Sequence, residues 1–379
     1  MTTTTTSAPL FYIRFLKPPP TECLVGQHFT IVWTIESDLG DQTCWETVPV
    51  SISLEGCSQL GLRELNADPK GNSKKKAAAL AKPYMLEKVA LAREIPLVFD
   101  PLRGGGIVTK LVIEHMPGQP LPIGTTVQIQ LGIKLAAAAR SGPSHSIWQH
   151  AYEFQHMWLI PTWSTPMATT VAKQRHGDVK ESGDQAERVL IAHQAKVCIR
   201  EDAVQSIARH VWDCGLGMCQ FLSECKLDRK YNSLLELGSG TGLVGIYAAE
   251  LLGPKRVYLT DLPDALEIMQ QNVDLMSDTK VEMLVKELSW GPEKQDQYSD
   301  VDLVLLTDVL YNQGSHDVLL DTLDWLLDND NCRALLTYKE RNPDEREFFE
   351  KVALRKWKCQ RVQSYSHLVC EVYWISKVC

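Results

Sequence analysis

Leu234-Leu235-Glu236-Leu237-Gly238-Ser239-Gly240-Thr241-Gly242-Leu243-Val244-Gly245 is the stretch on which the fold turns. An apolar run enters it, three alternate glycines bend it, and a second apolar segment leaves it. That order reads as strand, loop and helix. Gly238, Gly240 and Gly242 let the backbone turn sharply and approach a ligand where a Cβ would collide. A dinucleotide fingerprint needs glycine at position 243, where Leu243 stands, and a phosphate loop needs Gly-Lys-Ser/Thr, which is missing. Glu236 adds an acid beside the loop. A carboxylate there repels a pyrophosphate and suits a cationic or zwitterionic ligand.

Working outward, the next strand, Arg256–Asp261, ends in an acid nineteen residues after Gly242. An acid at that place can accept both hydroxyls of a ribose, or it can cap the helix ahead of Pro263. A cationic ligand with a ribose fits S-adenosylmethionine, whose aminoacyl-sulfonium part meets Glu236. The third strand ends in Leu288-Ser289-Trp290-Gly291, read as a wall for adenine. The fourth ends in Leu306-Thr307-Asp308-Val309-Leu310-Tyr311. Ligands of open α/β sheets sit outside the carboxyl ends of the strands. Asp308 and Tyr311 are therefore expected to face the methyl of a bound donor; the competing reading makes them a helix cap and a core tyrosine.

From Ser233 onward, apolar strands alternate with helical patterns: Ser233–Leu237, Gly242–Leu252, Arg256–Asp261, Ala265–Met276, Val281–Glu287, Leu303–Asp308, Val318–Leu327, Ala334–Lys339, Asp344–Lys351 and Val372–Ser376. Continuous apolar strands predict a parallel sheet covered on both faces. Arg200–Glu224 has the spacing of a helix, through Val204, Ile207, Val211, Trp212, Leu216 and Phe221. The first 165 residues alternate with period two. Phe29, Ile31, Trp33 and Ile35 form one set, Val48, Val50, Ile52 and Leu54 a second, and Val127, Ile129, Leu131 and Ile133 a third. Phe11–Leu16, Ile95–Phe99, Ile107–Glu114 and Trp158–Trp163 are weaker candidates. The prediction is an antiparallel β-sandwich-like domain over 1–170, a polar linker over 171–187, and an α/β domain with a parallel sheet over 188–379. The insert Lys70–Lys82 reads as a solvated loop or short helix.

The glycine loop, Asp261 and Asp308-Val309-Leu310-Tyr311 together resemble the seven-β-strand methyltransferases, and more narrowly the family-16 protein-lysine methyltransferases, whose hallmark is Asp-x-x-Tyr after the fourth strand. Ala208-Arg209-His210-Val211-Trp212-Asp213-Cys214 is similar to that family's segment ahead of the glycine loop. Asn272, Tyr338-Lys339-Glu340-Arg341 and Phe348-Phe349 also match its pattern. The chain departs from it at Ala208-Arg209-His210, where a glycine is frequent, and at Ser289, where an acid or asparagine is frequent. The resemblance covers about residues 188–379 and implies a Rossmann-like seven-stranded S-adenosylmethionine methyltransferase domain there. It implies a donor site built from Trp212, Glu236, Gly238, Ser239, Gly240, Thr241, Gly242, Asp261, Leu262, Ser289, Trp290 and Asp308, with Asp308 and Tyr311 catalytic. It implies methyl transfer from S-adenosylmethionine to a protein lysine, a translation factor or chaperone being the expected substrate, and needs no metal. Histidine, small-molecule or nucleic-acid acceptors, and a non-catalytic donor-binding adaptor, stay open at this point.

Composition narrows the partners. The 379 residues carry 39 basic and 47 acidic side chains, net −8, which disfavours a sequence-independent nucleic-acid binder. No apolar run approaches the roughly 20 residues of a membrane-spanning helix. MTTTTTSAPL lacks the features of a signal peptide, and the 11 cysteines contain no CxxC pair, so reduced thiols are expected. The expectation is a monomer in the cytoplasm, with the nucleus left open. The β-rich region is expected to read the substrate or a partner, or else to cover an apolar face of the catalytic domain.

Overall fold

The computed structural model describes residues 9–65, 91–104, 106–120, 124–133, 151–170, 182–193, 195–203, 207–276 and 279–377. The Lys70–Lys82 insert, Val204 and most of the 171–187 stretch lie outside them. The C-terminal part contains α1 (Asp213–Glu224), β1 (Ser233–Leu237), α2 (Leu243–Leu252), β2 (Arg256–Asp261), α3 (Pro263–Asp274), β3 (Glu282–Glu287), β4 (Leu303–Thr307), α4 (His316–Leu326), β5 (Arg333–Tyr338), α5 (Glu347–Leu354), β6 (Lys358–Tyr365) and β7 (Cys370–Ser376). They form one seven-stranded sheet in the order β3-β2-β1-β4-β5-β7-β6. β1 to β5 run parallel, and β7 is antiparallel to both β5 and β6. The order reverses between β1 and β4, so a crevice opens there at the carboxyl ends of both strands. This is the Rossmann-like methyltransferase fold that the resemblance implies, with the parallel strands that the alternation predicts.

Two elements differ from the sequence reading. β6, KCQRVQSY, was missed because it is an edge strand, mostly exposed, with too few apolar residues to show a period. The helix read over Arg200–Glu224 begins only at Asp213. Residues Ala195–Asp202 are a strand, in which Val197, Ile199 and Glu201 point to the interior at period two.

The N-terminal region is built from two sheets. The first runs Leu60–Glu64, Ile107–His115, His28–Glu36, Leu10–Lys17, Met157–Ile160 and Tyr152–Phe154 in space. The second runs Ala195–Asp202, Gln185–Ala192, Thr162–Ser164, Thr125–Ile133, Met167–Thr170 and Glu22–Leu24, with Val48–Glu55 joined to Thr125–Ile133 and Glu94–Phe99 beyond it. The three alternating sets read from the sequence are buried and share one apolar core. Pairing is mainly antiparallel, but Leu10–Lys17 lies parallel to Met157–Ile160, and Met167–Thr170 parallel to Glu22–Leu24. The strand read as Trp158–Trp163 breaks at Pro161, where the chain passes from the first sheet to the second. A proline cannot donate to a ladder, so the switch falls where the amide is missing.

The boundary at residue 188 also shifts. Gln185–Ala192 and Ala195–Asp202 form a hairpin, and its first strand pairs with Thr162–Ser164 through Trp163↔Glu187 and Ser164↔Ala186. The end of the expected linker is thus in strand. Its polar composition misleads because Glu187, though charged, is buried in that pairing. The same hairpin packs on α2 and α3. Leu10, Tyr12, Leu190, Ala192, Val197 and Ile199 join one apolar cluster with residues of α1 and α2.

Candidate active site

A cavity of about 690 Å³ opens at the carboxyl ends of β1, β2 and β4. On one side stands the loop between β1 and α2. Gly238 and Gly240 have φ of +67° and +56°, which glycine alone adopts readily. A Cβ on Gly240 would lie 2.7 Å from the Ala208 carbonyl oxygen, so the loop fits tightly under the segment before Val211. Ser239 ties the loop to β2: its amide donates to the Thr260 carbonyl (3.0 Å), and its Oγ accepts from the Thr260 amide (2.9 Å). Asp261 accepts from the Gly240 amide (2.8 Å) through Oδ2 and from the Leu262 amide (2.7 Å) through Oδ1. It is therefore no cap for α3, whose N-cap is Leu262.

Glu236 is fully buried on β1. Its Oε2 accepts from the Gly245 amide (2.9 Å), whereas its Oε1 has no partner. Burial pushes its carboxyl up to about 8. An unpaired buried carboxylate oxygen at the cavity wall, beside a glycine cradle that a Cβ would fill, fits the amino group of S-adenosylmethionine. Trp290 packs against Gly238, to which a Cβ would approach within 3.3 Å of the ring. Ser289 and Leu262 complete that wall.

Across the cavity, Asp308 follows β4 with φ of +55°. Left-handed backbone in a non-glycine residue costs of order 1–3 kcal/mol and persists where its surroundings impose it. The surroundings here are ionic. Arg341 donates to the Asp308 carboxylate through Nε (3.3 Å) and Nη2. Asp308 does not cap α4, which begins at His316. Tyr311 stands at the mouth, 61% exposed, and so is no core tyrosine. Burial of its hydroxyl, with Asp261 and Asp308 nearby, raises its pKa.

The β-rich region reaches this side. Asp38, on a turn after His28–Glu36, accepts from Arg341 Nη2 (3.0 Å) and from Lys339 Nζ (3.2 Å to each oxygen). Lys339 also donates to Asp213 (2.6 Å), which accepts from the Tyr12 hydroxyl (2.7 Å). Burial raises the Asp213 carboxyl to about 6. Glu201 pairs with Arg188 (2.6 Å) and accepts from the Val211 amide (3.1 Å), fixing the backbone next to Trp212. Burial opposes its ionisation, but the Arg188 and Arg14 guanidiniums prevail and hold it at about 2.

A model of the lysine methyltransferase family matches residues 191–355. EEF1A lysine methyltransferase 3 of Xenopus tropicalis is 40% identical over 120 residues, 32% of this chain and 53% of that protein. Protein N-lysine methyltransferase METTL21A of Danio rerio is 39% identical over 144 residues, 37% of this chain and 65% of that one. The chain thus spans between half and two thirds of the length of these two relatives. It covers more, 73%, of the protein-lysine N-methyltransferase EFM6 of Saccharomyces cerevisiae, at 31% identity over 186 residues and 41% of this chain. The chain belongs to the lysine methyltransferase family.

The family match begins inside the 185–202 hairpin. The β-rich region is therefore joined to the family's own segment by continuous strand pairing. Of the donor-site residues expected from sequence, Trp212, Glu236, Gly238, Ser239, Gly240, Thr241, Asp261, Leu262, Ser289, Trp290 and Asp308 line the cavity, as does Tyr311. Gly242 does not. It starts α2 in the left-handed conformation, and a Cβ there would meet Met269 at 3.1 Å, so it serves packing. Sequence reasoning matched Arg341 to the family's late strand without placing it in the site, and it missed Asp38 and Leu39. Arg341 was within reach, since it follows the end of β5 as Asp308 follows β4. Asp38 and Leu39 lie more than 260 residues upstream in a turn with no local signal.

Proposed function

We propose that this lysine methyltransferase family member transfers the methyl group of S-adenosylmethionine to a lysine ε-amine of a protein. One observation carries the reading: the glycine loop with Asp261 and the Asp308–Tyr311 pair line the same cavity. Donor and acceptor would thereby meet across it at near-attack distance. When bound, S-adenosylmethionine supplies a methyl on a sulfonium, and its displacement leaves a neutral thioether. Glu236 takes the donor's amino group through its free oxygen, Asp261 the ribose hydroxyls, and Trp290 the adenine. Trp212 closes the donor side beside Arg341, whose guanidinium lies 5.4 Å from its ring centroid.

The acceptor must arrive as a neutral amine. A lysine with a pKa near ~10.4 is almost wholly charged at pH 7, and desolvation in the cavity favours the neutral form. Asp308 accepts a hydrogen from the amine and directs its lone pair toward the methyl, and Tyr311 offers a π-face to the cationic product. The frog relative's name makes EEF1A the first acceptor to test. Incubation with methyl-labelled S-adenosylmethionine and recombinant EEF1A, beside a cell extract, should label a protein on lysine, read by mass spectrometry. Label on nucleic acid or histidine, or none while donor binds, sinks the reading.

A further inference from the structure

We propose that the Ser37–Gln42 turn of the β-rich region is part of the acceptor side of the cavity, with Asp38 positioning Asp308 through Arg341 and Leu39 walling the path of the amine. This rests on the donor-binding reading above. The turn is closed by its own bonds: Ser37 N donates to the Gln42 carbonyl (3.1 Å), Gly40 N to the Ser37 carbonyl (3.1 Å), and Ser37 Oγ to Asp41 (2.6 Å). It therefore presents Asp38 and Leu39 in fixed directions. Asp38 turns inward, its side chain 2% exposed, while Leu39 lines the cavity at 49% exposure. A large apolar side chain left half-exposed at a cavity mouth is placed for contact with what enters.

The ionic arrangement gives Asp38 a specific task. Arg341 grips both oxygens of Asp308 with Nε and Nη2, and the same Nη2 reaches Asp38. The fork fixes the plane of the Asp308 carboxylate. Its base is fixed in turn, because the Arg341 amide donates to Glu345 (3.1 Å) and the Arg14 guanidinium donates to the Asp38 carbonyl (3.1 Å). Asp38, Asp213 and Asp308 face Lys339 and Arg341, and Arg14 is already paired with Glu36 and Glu201, so carboxylates outnumber cations around Arg341. That excess suits the ammonium that forms as the methyl is transferred. Replacing Asp38 by asparagine removes that charge and keeps an oxygen that can accept from Arg341.

Two ligands read this without any acceptor protein. Sinefungin carries an amine where S-adenosylmethionine carries its methyl, and S-adenosylhomocysteine has neither the methyl nor the sulfonium charge. Calorimetry on the full chain should give Asp38→Asn the wild-type affinity for S-adenosylhomocysteine and about a tenfold loss for sinefungin, one charge-assisted contact's worth. Leu39→Lys, at an exposed position the fold tolerates, should lower sinefungin affinity alone by placing a cation at the mouth. It decides the matter if Asp38→Asn does not fold. Affinities unchanged from wild type for both ligands in the variants, or parallel losses for both in a folded variant, would overturn the proposal. A wild-type chain that binds neither ligand would instead remove the donor-binding reading.

Discussion

The β-rich region meets the catalytic sheet along two seams of opposite chemistry. In one, Leu10, Val197 and Ile199 join α1 and α2 in a continuous apolar cluster. In the other, Tyr12 and Asp38 meet Asp213, Lys339 and Arg341 through buried ions and hydrogen bonds. Apolar burial is non-directional and scales with area, so the first seam holds the parts together without fixing angles. Buried ion pairs add little net stability, but they demand defined geometry. The ionic seam ends on Asp308 and the apolar one does not, so the same pair of regions uses one contact for cohesion and another for orientation.

Five changes would break or sharpen that contrast. Asp308→Ala, at the inner end of the ionic seam, should reduce methyl transfer at least about a hundredfold, within the range for loss of a positioned proton-handling group. Donor affinity and melting temperature should stay near wild type; retained turnover would move the acceptor site elsewhere. Glu201→Gln leaves Arg188, 1% exposed, without its carboxylate and should cost about 3–5 kcal/mol in urea unfolding. In the native chain Glu201 is held at about 2, below its ordinary 4.5. Its contribution is thus fully present above pH 4.5 and lost as pH falls through 2, and the variant's stability should be flatter across that window. A native chain with no acid-dependent loss between pH 4.5 and 2 argues against the buried pair.

Ile199→Ala, in the apolar seam, should cost about 2–4 kcal/mol of stability and leave kcat unchanged. A kinetic defect at full stability would erase the distinction between the seams. On the donor side, Asp261→Ala should weaken S-adenosylmethionine by about 1.5–3 kcal/mol, or ten- to a hundredfold. Part of that loss is the Gly240 amide, which Asp261 also holds; unchanged affinity removes the ribose assignment. The smallest effect concerns Glu236. With its carboxyl at about 8, it is protonated at neutral pH and must ionise to take the donor's amino group. Affinity should rise by up to about tenfold per pH unit from 6 to 8 and then level. Glu236→Gln should bind more weakly at pH 8 and abolish the slope, whereas a slope that survives assigns the titration to another group.

The legible parts were those with local patterns. Leu234–Leu237 entering Gly238 announces strand and loop within a dozen residues, and Asp261 and Asp308 each fall at the end of an apolar run. The illegible parts depend on distant partners. Asp38 follows a good strand, but its meaning comes from Lys339 and Arg341, about 300 residues away. The 185–202 hairpin looked like the end of a polar linker and the start of a helix, because Glu187, Arg188 and Glu201 are buried charges satisfied by one another and by neighbouring strands. A binary apolar-polar pattern reads such residues as surface. The β-rich region, expected from sequence to be a reader or a cover, packs on α1 and α2 and also places Leu39 at the cavity.

The pairing of Leu10–Lys17 with Met157–Ile160 has a consequence in time. During synthesis the first strand gains its antiparallel neighbour, His28–Glu36, early. Its other edge waits while about 140 further residues are made, some 7–30 seconds at ~5–20 residues per second. For that interval an apolar strand shows an open row of amides and carbonyls, the arrangement that recruits strands from other chains. The order of emergence, rather than the final stability, makes this edge the place where the nascent chain most needs to be shielded.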